Sequence, residues 1–352
     1  MSSLLNVVEF LERKRSLPVI DVRSPAEFEH AHIPGALSLP LFNNEERAEI
    51  GTIYKQKGKT KAVRRGLEII APKMTGFVDF ALSLKSGELL VHCWRGGMRS
   101  SSMAWLFETV GLNCYTLEGG YKSYRNHVLE SFTKPYNILL LGGFTGSGKT
   151  ELLKMIAQSG EQVIDLEALA HHKGSAFGAL GEEPQPSIEY FENLLSQHLE
   201  DVNPNRTLWL EDESRNVGKV VIPGALWKQM REAPLVQVNM PQHLRIGRLV
   251  KEYGKYSPEE LADSIKRIEK RLGYDICKKA VEVCLQGDFE EAARLSLTYY
   301  DKVYGGQINE RYSDNPDSLI EFKIDRDISD EIVSEVLELA KRYNEKKQNN
   351  RR

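Results

Sequence analysis

The chain has 352 residues, of which 41% are hydrophobic and 28% charged, and its formal net charge is −3 at pH 7. This length allows two or three domains, and the composition is that of a soluble globular protein with adequate cores. No apolar run approaches membrane-spanning length, and the small net charge does not by itself indicate a nucleic-acid binder.

The N-terminus and the cysteines both favour an intracellular protein. The first residues, MSSLLNVVEFLERKR, lack the pattern of a signal peptide and instead predict an amphipathic helix. The four cysteines show no CxxC spacing and no metal-ligand clustering with the eight histidines. We therefore expect a reducing, cytoplasmic location and no membrane association.

The first 130 residues alternate short apolar runs with helical patterns. Strands are predicted at residues 18–22, 89–91 and 113–116, and helices at 25–30 and 121–132. Such alternation is typical of an α/β domain with a mostly parallel sheet. Ligand sites in these sheets lie at the carboxyl ends of the strands.

The central strand ends at Cys93, in the stretch ELLVHCWRGGMRSSS. A loop containing Arg95, Gly96 and Gly97 follows, and a helix is predicted to begin at about Arg99. Backbone N–H groups of such a loop and of the helix N-terminus favour a thiolate and can hold an oxyanion. Cys93 is therefore the predicted nucleophile, although a free cysteine can also simply end a core strand.

Two segments resemble the signatures of rhodanese domains. The first is VIDVRSPAEFEHAHIPGALSLP at residues 19–40, and the second combines VHCWRGGMRS with LEGGYKSY. In that family the cysteine carries a persulfide, and the resemblance implies that Asp21 and Arg23 brace the active loop. A structural salt bridge alone is the alternative for this pair.

The spacing between Cys93 and Arg99 departs from the usual sulfurtransferase loop. Cys-X5-Arg is one residue longer and resembles the loops of rhodanese-like phosphatases and arsenate reductases. A longer loop makes a wider anion cradle, which suits a phosphate-sized group or a larger chalcogen.

A basic segment at about residues 44–74 separates the two signatures. No acidic residue lies between Gly51 and Leu67. The segment is either a solvated insertion or a surface for a phosphate backbone. The candidate RNA-binding residues here are Lys55, Lys57, Lys59, Lys61, Arg64 and Arg65.

A second chemical element begins after residue 135. A strand at 137–141, the loop GGFTGSGKT and a helix at 151–158 form the context that a GxxxxGK[ST] phosphate-binding loop requires. Lys149 would neutralise a di- or triphosphate, and Thr150 could hold Mg²⁺. The predicted phosphate-binding residues are Gly143, Gly146, Ser147, Gly148, Lys149 and Thr150.

Acidic residues follow another predicted strand, at 207–210. Asp212 or Glu213 could serve as the Walker B-like carboxylate that reaches a metal. A polar loop at 171–178 is either a substrate loop or an ordinary connection, and its adjacent histidines argue against a zinc site. Further strands are predicted at 162–164, 235–239 and 319–324, with a helix at 329–343.

Residues 241–300 are predicted to be helical and highly charged. Arg245 and Arg248 are candidate RNA contacts, and a run of further cations at 251–271 is expected to face the same way, with tyrosines among them. An ordinary solvated face is the alternative. We therefore predict two α/β domains: a rhodanese-like domain at 1–132, and a P-loop NTPase-like parallel-sheet domain at 133–352 with this helical insertion.

The whole chain resembles the bacterial tRNA 2-selenouridine synthase family. The motifs that carry this resemblance are HCWRGGMRS, GGFTGSGKT, DLEALAHHKGSAFG and LEDESRNVGKVVIP. The resemblance implies a transferase that modifies the wobble uridine of tRNAs for lysine, glutamate and glutamine. Its co-substrates would be geranyl diphosphate and selenophosphate, and the enzyme that produces selenophosphate would be a partner.

The implied reaction has two stages. The sulfur of 2-thiouridine is geranylated, and selenium carried as a selenopersulfide on Cys93 then displaces the geranylthio group. The P-loop would hold the departing diphosphate, and Arg95 and Arg99 would stabilise the phosphate that leaves selenophosphate. Phe144, Phe177 and Trp209 are candidates for the geranyl pocket, with core packing the better interpretation of Trp209.

Two alternatives belong to other functional classes. The Cys-X5-Arg spacing alone would suit a rhodanese-like phosphatase or arsenate reductase, which gives the P-loop no role. A nucleotide-binding RNA regulator with a vestigial cysteine loop is the other alternative, against which the intact Cys93, Arg95 and Arg99 argue.

Overall fold

The computed structural model describes residues 3–349, which form two compact units. The first unit contains the chain up to Phe132 together with Glu189–Gln197. The second unit contains Thr133–Ile188 and the chain from His198 onward.

The first unit is built on a parallel sheet of five strands, as far as the described residues show. The order is β1-β5-β4-β2-β3, so that β4 lies in the middle. The predicted α/β class with a parallel sheet is confirmed. The strands are β1 (Ser3–Leu5), β2 (Val19–Asp21), β3 (Leu37–Ser38), β4 (Glu88–His92) and β5 (Asn113–Leu117).

Helices surround this sheet, and β4 is buried between them because its side chains are apolar on both faces. The helices of the first unit are α1 (Val7–Lys14), α2 (Pro25–His30), α3 (Asn44–Lys57), α4 (Lys59–Ile70), α5 (Met74–Ser83), α6 (Met98–Glu108) and α7 (Gly120–Ser131).

The predicted N-terminal helix is wrong at its start. Residues 3–5 pair with β5 as a parallel strand, and the helix begins only after Asn6. The Asn6 side chain accepts hydrogen bonds from the N–H groups of Val8 and Glu9, and the Glu9 carboxylate accepts one from the Asn6 N–H. This capping box fixes the boundary. Residues 1 and 2 lie outside the described part of the chain.

The basic segment forms two helices, α3 and α4, that pack against each other. Gly58 separates them at a φ of +85°, a conformation that favours glycine. Its lysines remain exposed, so that the segment adds a charged surface to the first unit.

The second unit is built on another parallel sheet, of order β12-β11-β6-β8-β7 in the described residues. The phosphate-binding loop follows the central strand β6. The strands are β6 (Ile138–Gly143), β7 (Gln162–Ile164), β8 (Leu208–Glu211), β11 (Leu235–Asn239) and β12 (Leu319–Lys323), with a separate antiparallel hairpin of β9 (Asn216–Val217) and β10 (Val220–Val221).

The predicted helical region is confirmed and extends past residue 300 to Tyr312. Its helices pack around their own apolar cluster, which includes Leu261, Ile265 and Ile268. The remaining helices are α8 (Lys149–Gln158), α9 (Leu166–Ala170), α10 (Ile188–Glu200), α11 (Gly224–Glu232), α12 (Gln242–Tyr253), α13 (Pro258–Lys266), α14 (Glu269–Leu272), α15 (Tyr274–Leu285), α16 (Phe289–Tyr312) and α17 (Asp330–Asn349). Among residues 3–349, no helix has the length and hydrophobicity to cross a membrane.

Candidate active sites

Cys93 lies just past the carboxyl end of β4, where hydrogen-bonding groups surround its sulfur. The Gly97 N–H donates to Sγ over 3.4 Å, and Ser100 Oγ lies 3.3 Å from Sγ. Burial alone would raise the pKa of this thiol. Hydrogen bonds from Ser100 and Gly97 and the charge of Arg99 instead lower the pKa below its ordinary value.

Only part of the predicted glycine requirement is met. Gly96 has a φ of +61°, and a Cβ there would lie 2.4 Å from the Leu117 carbonyl oxygen. Gly97 has a φ of −107° and open space around it, so this position does not require a glycine. Gly120, which sequence reasoning did not single out, is more constrained: its φ is +61°, and its Cβ would lie 2.3 Å from the Gly96 nitrogen.

The two predicted arginines differ in their surroundings. Arg99 Nη1 donates to Glu27 Oε2 over 2.9 Å, so part of its charge is neutralised near the loop. Arg95 is exposed. Arg99 is thus held in place beside Cys93, while Arg95 is open to an incoming anion.

Asp21 and Arg23 form a buried pair rather than a surface one. Arg23 Nη2 lies 2.6 Å from Asp21 Oδ2, and both side chains are at most 1% exposed. Arg23 also donates to the Ala31 carbonyl oxygen over 2.8 Å and stacks 3.8 Å above the Tyr121 ring centroid. The pair therefore joins β2 to the end of α2 and to α7, which carries Gly120 of the cysteine loop.

The phosphate-binding loop turns tightly through glycines with left-handed backbones. Gly146 and Gly148 have φ values of +83° and +80°. A Cβ on Gly146 would lie 2.9 Å from the Arg245 carbonyl oxygen, and a Cβ on Gly148 would lie 2.9 Å from Arg248 Nη2. Ser147 Oγ is buried and makes no hydrogen bond within the described chain, which suits a loop shaped for a ligand.

Lys149 occupies the position predicted for phosphate neutralisation. Its Nζ donates to the Gly143 carbonyl oxygen over 3.1 Å and lies 3.4 Å from Glu211 Oε1. Burial would lower the pKa of Lys149, but Glu211, Glu213 and Glu167 raise it above its ordinary value. The lysine is therefore charged at neutral pH.

Three carboxylates face this lysine. Glu167, Glu211 and Glu213 each offer an oxygen within 4.8 Å of the others, and Thr150 Oγ1 donates to Glu167 Oε2 over 3.4 Å. Burial and repulsion from neighbouring carboxylates raise the pKa of Glu167 to about 10 and of Glu213 to about 8, and burial is the main cause that raises the pKa of Glu211. Glu211 Oε2 is buried without a hydrogen-bond partner among residues 3–349. Oxygen ligands of this kind, beside a P-loop threonine, fit Mg²⁺.

The two residues predicted as Walker B-like carboxylates, Asp212 and Glu213, differ in their surroundings. Glu213 belongs to the carboxylate cluster, whereas Asp212 pairs with Arg311 over 2.6 Å and lies near the Tyr304 hydroxyl. Asp212 therefore supports the fold on the opposite side of the strand end. Sequence reasoning missed Glu211, which the end of an apolar strand could have signalled, and Glu167, for which we find no local signal.

Arg245 does not lie on an RNA-binding surface. It is only 4% exposed, forms a two-pronged pair with Asp301 over 2.8 and 2.6 Å, and donates to the Thr145 carbonyl oxygen over 3.1 Å. Its guanidinium therefore packs against the phosphate-binding loop, to which Thr145 belongs. Arg248 is held by Glu151 and Asp327 and is partly exposed.

The other RNA candidates, all on α3 and α4, remain accessible. Lys55, Lys57, Lys59 and Lys61 are exposed. Arg65 pairs with Glu49 and Glu68, which reduces the charge it offers.

An apolar pocket opens beside the phosphate-binding loop, within the second unit. Its lining is mostly apolar, it is partly open to solvent, and its wall includes Thr145 of the loop. Phe177 lines this pocket, whereas Trp209 lies in the sheet core, as expected, and Phe144 packs on Tyr304. The other walls include Leu249, Tyr253, Phe289 and Leu297.

Comparisons with known proteins match both units. A model of the rhodanese-like domain matches residues 6–127, and a model of the tRNA 2-selenouridine synthase AAA domain matches residues 136–337. A tRNA 2-selenouridine synthase from Nitrosomonas europaea is 37% identical over 262 residues, which cover 71% of this chain and 67% of that protein. One from Sulfurovum sp. is 34% identical over 339 residues, which cover 89% of this chain and 90% of that protein.

Part of the chain is also similar to a solved structure. The N-terminal domain of an ATP/GTP-binding protein from Clostridium difficile 630 is 39% identical. The match covers 36% of this chain and 99% of that chain, with a TM-score of 0.33.

Proposed function

Because this chain belongs to the tRNA 2-selenouridine synthase family, which confirms the resemblance seen in its motifs, we propose that it converts 2-thiouridine in tRNA to 2-selenouridine. The observation that carries this proposal is the presence of two separate chemical sites in one chain. One holds an activated thiol, Cys93, and the other an anion loop with a charged lysine, Lys149.

The second unit would perform geranylation. The sulfur of 2-thiouridine would attack the first carbon of geranyl diphosphate, so that a C–S bond forms and the bond to diphosphate breaks. Lys149 and the loop N–H groups stabilise the diphosphate that leaves. The apolar pocket beside Thr145 supports this proposal because it offers space for an apolar chain next to the anion site.

Thr150, Glu167, Glu211 and Glu213 would hold Mg²⁺ in this unit. When bound, the ion would neutralise charge on the diphosphate. Without a cation, burial and repulsion from neighbouring carboxylates keep protons on some of these side chains, as their raised pKa values indicate.

The first unit would supply selenium. Alkylation turns the sulfur at C2 of the base into a thiol leaving group, which a selenium nucleophile can displace. In the selenopersulfide route, Cys93 carries that selenium. Joining a thiolate to selenide-level selenium removes two electrons, so this route needs a disulfide-type oxidant and, at release, a thiol reductant.

A second route needs no oxidant, and Ser100 favours it. The Cys93 thiolate would attack phosphorus in selenophosphate, so that an S–P bond forms and hydrogen selenide leaves; water then cleaves the S–P bond. Ser100 Oγ, 3.3 Å from Sγ, could donate to the thiolate as it leaves phosphorus, and the Cys-X5-Arg loop suits a phosphate-sized group. Phosphorus-31 spectra of the acid-quenched protein separate the two routes, because only the second places phosphorus on Cys93.

The proposed substrates are tRNAs for lysine, glutamate and glutamine, with the modification at the wobble position. The selenophosphate-producing enzyme would be a partner, and we expect the protein to act in the cytoplasm. A phosphatase or arsenate reductase would leave the phosphate-binding loop of the second unit without a role, and a regulator would not need a thiol with a lowered pKa.

Nucleoside mass spectrometry tests the proposal. Purified protein is incubated with 2-thiouridine tRNA and with geranyl diphosphate, selenophosphate or both. Geranylated nucleoside with the first co-substrate, and replacement of sulfur by selenium with both, are the expected results. Hydrolysis of a phosphoester with neither nucleoside formed would instead identify a phosphatase.

A further inference from the structure

A second pocket in the second unit, which we call the cationic pocket, is polar and lined by four basic side chains. They are Lys266, Arg267, Lys270 and Arg271, and the pocket is partly open to solvent. Glu269 is its one acidic lining residue among the described residues. The cavity therefore attracts an anion larger than a single phosphate.

The helices place these cations outward for a packing reason. Leu261, Ile265, Ile268 and Leu272 are buried in the helical cluster at spacings of four, three and four residues. The residues between them, 266, 267, 270 and 271, consequently lie on the opposite face and are exposed. The charged face is thus continuous across the junction of α13 and α14.

Most of this charge is uncompensated. Lys266 pairs with Asp263 over 2.9 Å, but Arg267, Lys270 and Arg271 have no carboxylate within 4.0 Å in the described part of the chain. By comparison, Arg64 and Arg65 on α4 both pair with glutamates. Unpaired cations lining a concave surface are typical of sites that bind a polyanion.

The cationic pocket also meets the geranylation site. Ser175 and Tyr300 line both it and the apolar pocket, and the Tyr300 hydroxyl accepts from the Ala176 N–H over 3.3 Å. Gly174, another wall residue, has a φ of +66°; a Cβ there would lie 2.7 Å from Glu167 Oε1 and from Glu213 Oε2. The cationic pocket, the apolar pocket and the carboxylate cluster therefore meet at residues 174–175.

We infer that the cationic pocket binds the single-stranded RNA segment that carries the thiolated uridine. Lys270 and Arg271, with Lys266 and Arg267, would hold the backbone phosphates on either side of that nucleotide. The base would then enter beside Ser175 and Tyr300, where the apolar pocket and the carboxylate cluster meet. This inference rests on the proposed function, since it takes thiolated tRNA as the substrate.

A pair of charge-removing double variants tests the inference on the full chain. Lys270→Ala with Arg271→Ala removes two pocket cations, and Lys278→Ala with Lys279→Ala removes two exposed cations of α15 that do not line the pocket. Binding of 2-thiouridine tRNA is measured by filter retention over a range of salt concentrations. Thermal unfolding checks that both variants fold.

The pocket variant should bind tRNA at least about tenfold more weakly. The slope of log K against log salt should fall by about 1.4, because each single-strand phosphate contact contributes roughly 0.7. The α15 variant should match wild type, and both variants should bind geranyl diphosphate as wild type does. Equal tRNA affinity in the pocket variant and wild type, or equal losses in both variants, would overturn the inference.

Two controls separate this inference from its premise. If wild type makes no geranylated nucleoside, the proposed function fails whatever the pocket variant binds. If wild type does make it and the pocket variant makes it at the same apparent KM for tRNA, the pocket assignment alone fails. Displacement of tRNA by polyglutamate as readily as by an anticodon stem-loop would indicate an acidic protein partner and overturn the choice of RNA.

Discussion

Lys149 Nζ lies 3.4 Å from Glu211 Oε1, between the phosphate-binding loop and a cluster of three carboxylates, of which Glu167 and Glu211 are buried. The two side chains suit different ligands: the lysine lies where it can bind an anion, and the glutamate belongs to a cluster suited to a cation. Burial is the main reason why the pKa of Glu211 rises, whereas the negative charge of the three glutamates raises the pKa of Lys149.

The carboxylate cluster should make stability depend on pH. A carboxyl whose pKa is raised on folding binds more protons in the folded than in the unfolded state, so stability falls as pH rises. For Glu167 the window runs from about 4.5 to about 10. We expect the thermal midpoint of metal-free protein to fall between pH 6 and pH 9, and Glu167→Gln to reduce that fall. Exposed Glu183→Gln is the control, and a wild-type midpoint that does not fall would contradict the prediction.

The same experiment with Mg²⁺ tests the cation site. Added Mg²⁺ should raise the midpoint more at pH 9 than at pH 6, because only deprotonated carboxylates bind the ion. Glu167→Gln should reduce this gain. An equal gain in wild type and variant would place any bound ion elsewhere.

Cys93 should react with an alkylating reagent at a lower pH than an ordinary thiol. Its pKa is lowered by Ser100, Gly97 and Arg99, whereas burial raises the pKa of Cys114 to about 12. Iodoacetamide rates at Cys93, measured by peptide mass spectrometry, should rise with a midpoint below that of a free thiol.

Ser100→Ala should move this alkylation midpoint to higher pH, because the variant loses the hydroxyl that contacts Sγ. Ser101→Ala is the matched control: both hydroxyls donate to the Gly97 carbonyl oxygen, and of the two it is Ser100 Oγ that also lies 3.3 Å from Sγ. The same shift in both variants would mean that loop distortion, not the hydrogen bond, sets the reactivity.

Gly120 should tolerate substitution far less well than Gly97. A methyl group at Gly120 meets the Gly96 nitrogen at 2.3 Å and the Cys93 carbonyl oxygen at 2.4 Å, and its φ is +61°. We expect Gly120→Ala to lower the thermal midpoint and slow Cys93 alkylation, with a loss of about 1–3 kcal/mol for the backbone alone. Gly97→Ala should change neither, since its surroundings are open, and an equal effect of both would contradict this account.

Arg245→Ala should cost more stability than Arg248→Ala. Removing Arg245 leaves Asp301 partly buried without its partner and frees the Thr145 carbonyl oxygen, so we expect a loss of about 2–4 kcal/mol in urea unfolding. Arg248 pairs with exposed carboxylates, and its loss should cost about 1 kcal/mol or less. If Arg245→Ala instead reduces the salt dependence of tRNA binding without destabilising the protein, Arg245 is an RNA contact after all.

Local patterns predicted much of the fold. The apolar runs before Cys93 and before the phosphate-binding loop predicted buried strands, because a strand buried on both faces is apolar along its length. Both runs form central parallel strands in the structure. The predicted bounds of β7 and β11 match the structure. The strand at 3–5 was missed because three residues are too few to show alternation.

The sites were predicted less completely than the fold. Spacing singled out Cys93 and Lys149 as candidates because loop motifs are local. Glu167 joins the carboxylate cluster from another loop, and Gly120 reaches the cysteine loop from α7, so only the folded chain brings them together. Arg245 shows the converse: its charge suggested a surface, while its ion pair with Asp301 buries it.

The most direct test of two separate sites in one chain uses two variants, alone and mixed. Cys93→Ala and Lys149→Ala are each incubated with 2-thiouridine tRNA, geranyl diphosphate and selenophosphate. We expect Cys93→Ala to accumulate geranylated nucleoside, Lys149→Ala to leave 2-thiouridine unchanged, and an equal mixture to form 2-selenouridine through tRNA released by the first variant. Loss of both steps in each variant, with no 2-selenouridine in the mixture, would contradict the division of labour.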